Sequence, residues 1–263
     1  MRVLGIDPAP AKDSIIFDGK EFQHFSPKQL KEHIDRLSMQ EGSLFIAWDA
    51  PLSAAIDKDN FSLTIRKIER FFNRNGRYAK KLHIPEGIST LGFSSCPHWT
   101  LSQYLFGYPV INPHFCRNIE FELVMDNEVL INNGVGHYIT EIHPALSMWI
   151  LLKDIIDDPL FSTSWKYKGD SSVNTKKRSH IIVEYLFSLE FVQDYIDVAV
   201  VSIATDDELD AFVCWLMGRA LFENDLRARI YGDRSNGSFL LPYDEKIYNK
   251  LNSYLYSSTQ IMQ

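Results

Sequence analysis

Three apolar runs in this chain end on an acidic residue, with a proline within the next three positions. They are Val3-Leu4-Gly5-Ile6-Asp7-Pro8, Leu44-Phe45-Ile46-Ala47-Trp48-Asp49-Ala50-Pro51 and Tyr138-Ile139-Thr140-Glu141-Ile142-His143-Pro144. Proline has no N–H for a β-ladder, so each run reads as a strand that stops where its carboxylate sits. In an open α/β sheet, ligands gather just beyond the carboxyl ends of the strands. Carboxylates delivered to one such edge repel each other unless a positive charge lies among them, and a divalent metal ion is the obvious candidate.

A fourth acidic group, Asp207-Glu208-Leu209-Asp210, opens a helix that continues through Ala211, Phe212, Val213, Cys214, Trp215, Leu216 and Met217. A helix apolar on every side is a buried helix. Asp207 and Asp210, three apart, share a face of its first turn. Thr205 and Glu208 have the spacing of a capping box, and Asp206 and Glu208 are free to face solvent. Asp210 is one turn inside, where an unpaired carboxylate costs several kcal/mol, so it needs a partner, and a cation shared with Asp7 would be one. Glu141 and His143 are two apart on a strand and point the same way. His143 can serve the site or cap the helix that Pro144 begins.

These groups need elements to position them. Arg2 to Ile6 reads as a central strand, with Ser14–Phe17 and Lys20–Phe25 as a hairpin turned at Asp18-Gly19. Ser26 is an N-cap and Pro27 the first residue of a helix running to about Met39, followed by a buried strand over Leu44–Trp48 parallel to the first. Helical spacing covers Phe61–Phe72 and Cys96–Phe106, and Ile119–Val124 with Val129–Ile131 reads as a hairpin around Asp126-Asn127. The core pattern resumes as a strand over Tyr138–Ile142, with a helix from Pro144 to about Lys153. Asp157 to Asn174 has no strong pattern and is expected to be mobile. Helices follow over Thr175–Leu189 and Asp206–Phe222, while Val198–Ile203 fits strand or helix.

The chain has 263 residues, 45% of them hydrophobic, which is enough for a full core and suits one domain over 1–263 with an inserted segment at about 53–135. Its formal charge of −7 argues against a protein that coats nucleic acid nonspecifically. No leader-like start and no apolar run of membrane-spanning length is present, and the three cysteines leave one unpaired in any disulfide scheme. A cytoplasmic protein is expected, with no membrane partner.

Against that acidic background, Arg66, Lys67, Arg70, Arg74, Arg77, Lys80 and Lys81 stand with one acid, Glu69. Phe71, Phe72 and Tyr78 interleave them, so the segment reads either as a phosphate- and base-facing surface or as an amphipathic helix burying Ile65, Ile68 and Phe72. Lys176-Lys177-Arg178 is a second, smaller cluster. Cys96, His98, His114 and Cys116 are paired through single intervening residues, whereas zinc ligands are usually two to four apart, so packing is the better reading there.

The segments Gly5-Ile6-Asp7-Pro8-Ala9, Trp48-Asp49-Ala50-Pro51-Leu52, Glu141-Ile142-His143-Pro144-Ala145 and Asp207-Glu208-Leu209-Asp210-Ala211 resemble, in this order, the motifs of the domain of unknown function 429 family. That family is a predicted nuclease branch of the ribonuclease H-like superfamily, and the last segment is also similar to the closing motif of its crossover-junction resolvases. The resemblance reaches from Asp7 to Phe239-Leu240-Leu241-Pro242 and implies an α/β fold: a ribonuclease H-like mixed five-stranded sheet, helices on both faces. It implies phosphodiester hydrolysis with two Mg²⁺ or Mn²⁺ ions, Asp7 bridging them and Asp210 with Glu141 or Asp49 completing the shells. A nucleic-acid substrate follows, with Asp7, Asp49, Glu141, Asp207, Asp210 and His143 as catalytic candidates and Lys12, Arg70, Arg74, Arg77, Lys80 and Lys81 as phosphate-binding ones. Two rivals share the topology. An ATP-using protein of the actin-like fold would need glycine-rich turns where Pro8-Ala9-Pro10 and Ala50-Pro51 stand, although a basic turn around Lys12 compensates in part. A catalytically inactive ribonuclease H-like domain that only binds nucleic acid or protein would leave Asp210 a buried liability.

Overall fold

The computed structural model describes residues 1–53, 55–56, 63–73, 77–88, 90, 98–106, 121–127, 136–169 and 172–256. The strands are β1 (Arg2–Asp7), β2 (Ser14–Phe17), β3 (Phe22–Phe25), β4 (Ser43–Trp48), β5 (Ala55–Ile56), β6 (Leu63–Thr64), β7 (Glu122–Leu123), β8 (Gly136–Glu141), β9 (Ala228–Asp233) and β10 (Gly237–Pro242). The helices are α1 (Pro27–Gln40), α2 (Lys67–Phe72), α3 (Arg77–Leu82), α4 (His98–Phe106), α5 (Pro144–Leu152), α6 (Val173–Ser188), α7 (Glu190–Gln193), α8 (Asp206–Phe222) and α9 (Glu245–Tyr256).

A mixed sheet in the order β3-β2-β1-β4-β8-β7 organises the fold. β1 and β2, and β2 and β3, are antiparallel; β4, β8 and β7 continue parallel to β1. β1 and β4 are buried along almost their whole length, as their unbroken apolar character requires of strands covered on both faces. Alternation along each strand divides the core in two. Leu4, Ile6, Leu44, Ile46 and Trp48 pack with Leu30, Ile34 and Leu37 of α1 and Leu101 and Leu105 of α4. Val3, Phe45 and Ala47 pack on the other side against α8 and α5.

The first half of the chain follows its sequence closely. The hairpin turn is two residues longer than expected, because Asp18 Oδ1 accepts from the N–H groups of both Lys20 and Glu21 before β3 begins. The sheet has six strands rather than five. The extra one is β7, whose Glu122 and Leu123 lie parallel to Tyr138 and Ile139. The Asn127 side chain holds both backbone groups of Ile230; residues 129–131, the second strand of the hairpin expected around Asp126-Asn127, lie outside the described ones. Of the helix expected over Phe61–Phe72, the described residues form Lys67–Phe72, since Leu63–Thr64 pairs with Ala55–Ile56 and Arg66 is extended; Phe61 lies outside the described residues.

The segment expected to be mobile after Asp157 is packed. Phe161, Trp165 and Tyr167 are buried, and Arg178 of α6 donates to Leu160 O at 2.9 Å. Its backbone lies directly on the chain around Gly87, with Trp165 N donating to Glu86 O. Gly87 has φ +91°, and a Cβ there would collide with the backbone of Lys166, so only glycine permits the approach. Val198–Val200 is a short 3₁₀ turn, and the hairpin of β9 and β10 meets the end of β8 through a bridge between Leu240 and Ile142. Among the described residues, no helix is long and apolar enough to cross a membrane.

Candidate metal centre

Asp7 ends β1 and Asp49 follows β4, and the N–H of Asp49 donates to Ile6 O at 3.0 Å, which holds the two positions level. Ile6 and Trp48 pair in the ladder and face α1, so the pleat turns the next residues, Asp7 and Asp49, towards α8. Asp210 meets them from that helix. Oxygens of Asp7, Asp49 and Asp210 lie within 4.8 Å of one another. The approach depends on Gly5, where a Cβ would overlap the Ala211 carbonyl oxygen and the Trp215 backbone nitrogen. Without that side chain, α8 lies directly on β1 and brings Asp210 to the strand end.

Glu141 is placed differently. It is opposite Trp48 in the β4–β8 register, one step before the level of Asp49, and therefore on the α1 side of the sheet. Its carboxylate is gripped by Arg66, whose Nη1 and Nη2 donate at 2.6 and 2.5 Å, and it accepts from Leu52 N at 3.0 Å. Arg66 also donates to Glu69 and to Ser53 Oγ, and its guanidinium lies 5.4 Å from the Phe239 ring. Arg66 is 1% exposed, so it does not face a phosphate backbone as its place in the basic run had implied. Glu141, expected as a possible second ligand, is an ion-pair partner that fixes the loop following Asp49.

Asp207 and Asp210 part company despite sharing a turn. Asp207 pairs with Lys12 at the exposed rim. Asp210 is completely buried and has two protein partners: Tyr167 Oη donates to Oδ1, and Lys168 Nζ pairs with Oδ2. The partner that Asp210 requires is thus present within the chain, from the segment that carried no sequence pattern. Thr205 and Glu208 form the expected capping box. His143 caps α5, its Nδ1 accepting from Leu146 N at 3.3 Å.

Lys12 is engaged by Asp207, while Arg70 of α2 and Arg77, Lys80 and Lys81 of α3 are exposed. Arg74 lies outside the described residues. Phe71 and Phe72, expected as possible stacking platforms, are fully buried against Tyr78 and Phe239, because α2 presents that side to the core. Cys96, His114 and Cys116 also lie outside the described residues, as does the side chain of His98.

Burial and mutual repulsion set the electrostatics. Burial, then Asp210 and Asp49, raise Asp7 well above the ordinary carboxylate range. Burial pushes Asp49 up to about 7, with Lys168 opposing and Asp210 adding to the rise. Asp210 is also raised, first by burial, although Lys168 and Tyr167 favour its charged form. A cavity of about 170 Å³ lies over Asp7 and Asp49, lined also by Arg66, Glu141, His143 and Lys168. Asp7 and Asp49 line this cavity and Asp210 lies behind them, so the three offer hard-oxygen donors of the kind a divalent cation takes. Comparisons with protein-family models, curated proteins and solved structures find no match to this chain.

Proposed function

We propose that the protein is a metal-dependent phosphodiester hydrolase of the ribonuclease H-like kind, acting on nucleic acid. The observation that carries this reading is the convergence of Asp7, Asp49 and Asp210 from two adjacent parallel strand ends and a crossing helix. The order β3-β2-β1-β4-β8, with its antiparallel start and parallel continuation, supports the superfamily assignment. The donor set fits Mg²⁺ or Mn²⁺, which prefer carboxylate oxygens. It supports one ion held by Asp7, Asp49 and Asp210 better than the expected pair, because these three offer oxygens within 4.8 Å of one another, while Glu141 lies a ladder step short of Asp49 beside Arg66 and Asp207 sits at the rim beside Lys12.

Such an ion supplies charge stabilisation at a phosphoryl oxygen and a more acidic bound water. The chain's own contributions are those of position. Arg66, through Glu141 and Leu52 N, fixes the turn after Asp49. Gly5 and α8 fix Asp210, and the exposed bases of α2 and α3 offer sites for backbone phosphates. The test is cleavage of labelled single-stranded, duplex and branched DNA and RNA with Mg²⁺ or Mn²⁺. Cleavage should fall at least roughly a hundredfold in Asp7→Asn and Asp49→Asn, since several kcal/mol of transition-state stabilisation are lost. Wild-type protein that binds the ion yet cuts none of these substrates would refute the reading.

A further inference from the structure

We infer that Lys168 is a resident counter-cation of the Asp7–Asp49–Asp210 cluster, and that a divalent ion binding there displaces its ammonium from Asp210. The inference rests on the metal centre proposed above and concerns what that centre does before the ion arrives. Asp210 is completely buried with one partner on each oxygen, and the ammonium on Oδ2 repels a second cation brought to that carboxylate. The partners differ in freedom. Tyr167 is 3% exposed, and the backbone before it is clamped against Gly87. The Lys168 side chain is 42% exposed, lines the mouth of the cavity, and is followed by the exposed Gly169 at φ +86°. Lysine is also a compact charge on a flexible four-carbon stem, suited to leaving one site for another.

Charge sets the direction of the exchange. One ammonium among three carboxylates leaves the cluster net negative when all are ionised, whereas a divalent ion offsets more of the repulsion at the same position. Tyr167 has the opposite role. Its hydrogen bond to Oδ1 orients the Asp210 carboxylate and leaves Oδ2 as the atom that changes partner from Lys168 to the ion. It is a positioning residue, and removing it should weaken ion binding, while removing Lys168 should strengthen it.

The experiment is Mn²⁺ calorimetry at one fixed pH on the full chain and on Lys168→Gln and Tyr167→Phe. The expected result is roughly tenfold or more tighter binding in Lys168→Gln, by removal of a competing charge, and weaker binding in Tyr167→Phe. Equal or weaker binding in Lys168→Gln would overturn the inference, as would no Mn²⁺ binding by either wild type or variant. Should the variant fail to fold, acylation of Lys168 in the wild type, followed by peptide mass analysis, reads the same event. Mn²⁺ should speed that labelling, and an unchanged rate would overturn the inference. The two readings fail separately: a protein that shows this exchange but cuts no nucleic acid refutes the hydrolase, and one that cuts with ion binding indifferent to Lys168 refutes the exchange.

Discussion

At the scale of residues, the site is a balance of like charges. Asp49 is held at about 7, against 3.8 for an unperturbed group, and Asp7 and Asp210 are raised with it. The folded state therefore keeps protons that the unfolded chain has released between about pH 4 and 7. Stability from this source is complete below the unfolded value and is lost as pH rises through the folded one. In EDTA, the protein should melt higher at pH 5.5 than at pH 8, and Asp49→Asn should shrink the difference. Thermal unfolding at both pH values checks this; a difference unchanged in the variant would locate the pH dependence elsewhere. Arg66 makes a second test. Arg66→Met would leave Glu141 and Glu69 buried without their cation, at a cost of roughly 3–5 kcal/mol in urea unfolding. Lys12→Ala, at the exposed rim, should cost less than about 1 kcal/mol. Of these residues, Asp7, Asp49 and Asp210 were legible from strand-end grammar and from a carboxylate misplaced in an apolar helix. Tyr167 and Lys168 were not, because their segment has no periodicity and its role arises from packing on Gly87. The true place of Glu141 had a faint signal. Glu141 stands three residues before its proline where Asp49 stands two before, but that spacing does not show the level of the sheet each carboxylate occupies.

At the scale of elements, the site depends on how closely α8 can lie on β1. Gly5 sets that distance, and Gly218, where a Cβ would come within 2.8 Å of the Ala47 Cβ, maintains it further along the helix. Gly5→Ala would drive a methyl into backbone atoms that cannot move aside. A loss of more than about 3 kcal/mol is expected in denaturant unfolding, and any folded remainder should lose Mn²⁺ binding. Full stability with intact ion binding would show that the helix can shift at no cost. The strands β1, β2 and β4 and the helices α1, α5, α6 and α8 were readable within a residue or two, because their periodicity and caps agree with their burial. α9 has its own sequence signal, with Asp244 as cap and Ile247, Leu251 and Leu255 on one face. The β9–β10 pair was harder, since its attachment to the rest of the fold includes the Asn127 clip and the Leu240–Ile142 bridge, contacts remote in sequence.

At the scale of the whole molecule, the proposed phosphodiesterase needs a basic surface for its substrate in an otherwise acidic chain. Arg77, Lys80 and Lys81 are exposed on α3, so a triple change of these to Gln should weaken nucleic-acid binding at low salt while leaving Mn²⁺ binding intact. Fluorescence anisotropy with a labelled oligonucleotide measures it, and unchanged affinity would remove α3 from the substrate path. The central claim is that Asp7, Asp49 and Asp210 together hold a divalent ion. An anomalous-scattering map from a crystal soaked in Mn²⁺ tests it most directly. The expected result is a peak in contact with oxygens of all three residues, absent from Asp7→Asn; no peak among them at millimolar Mn²⁺ would contradict the account.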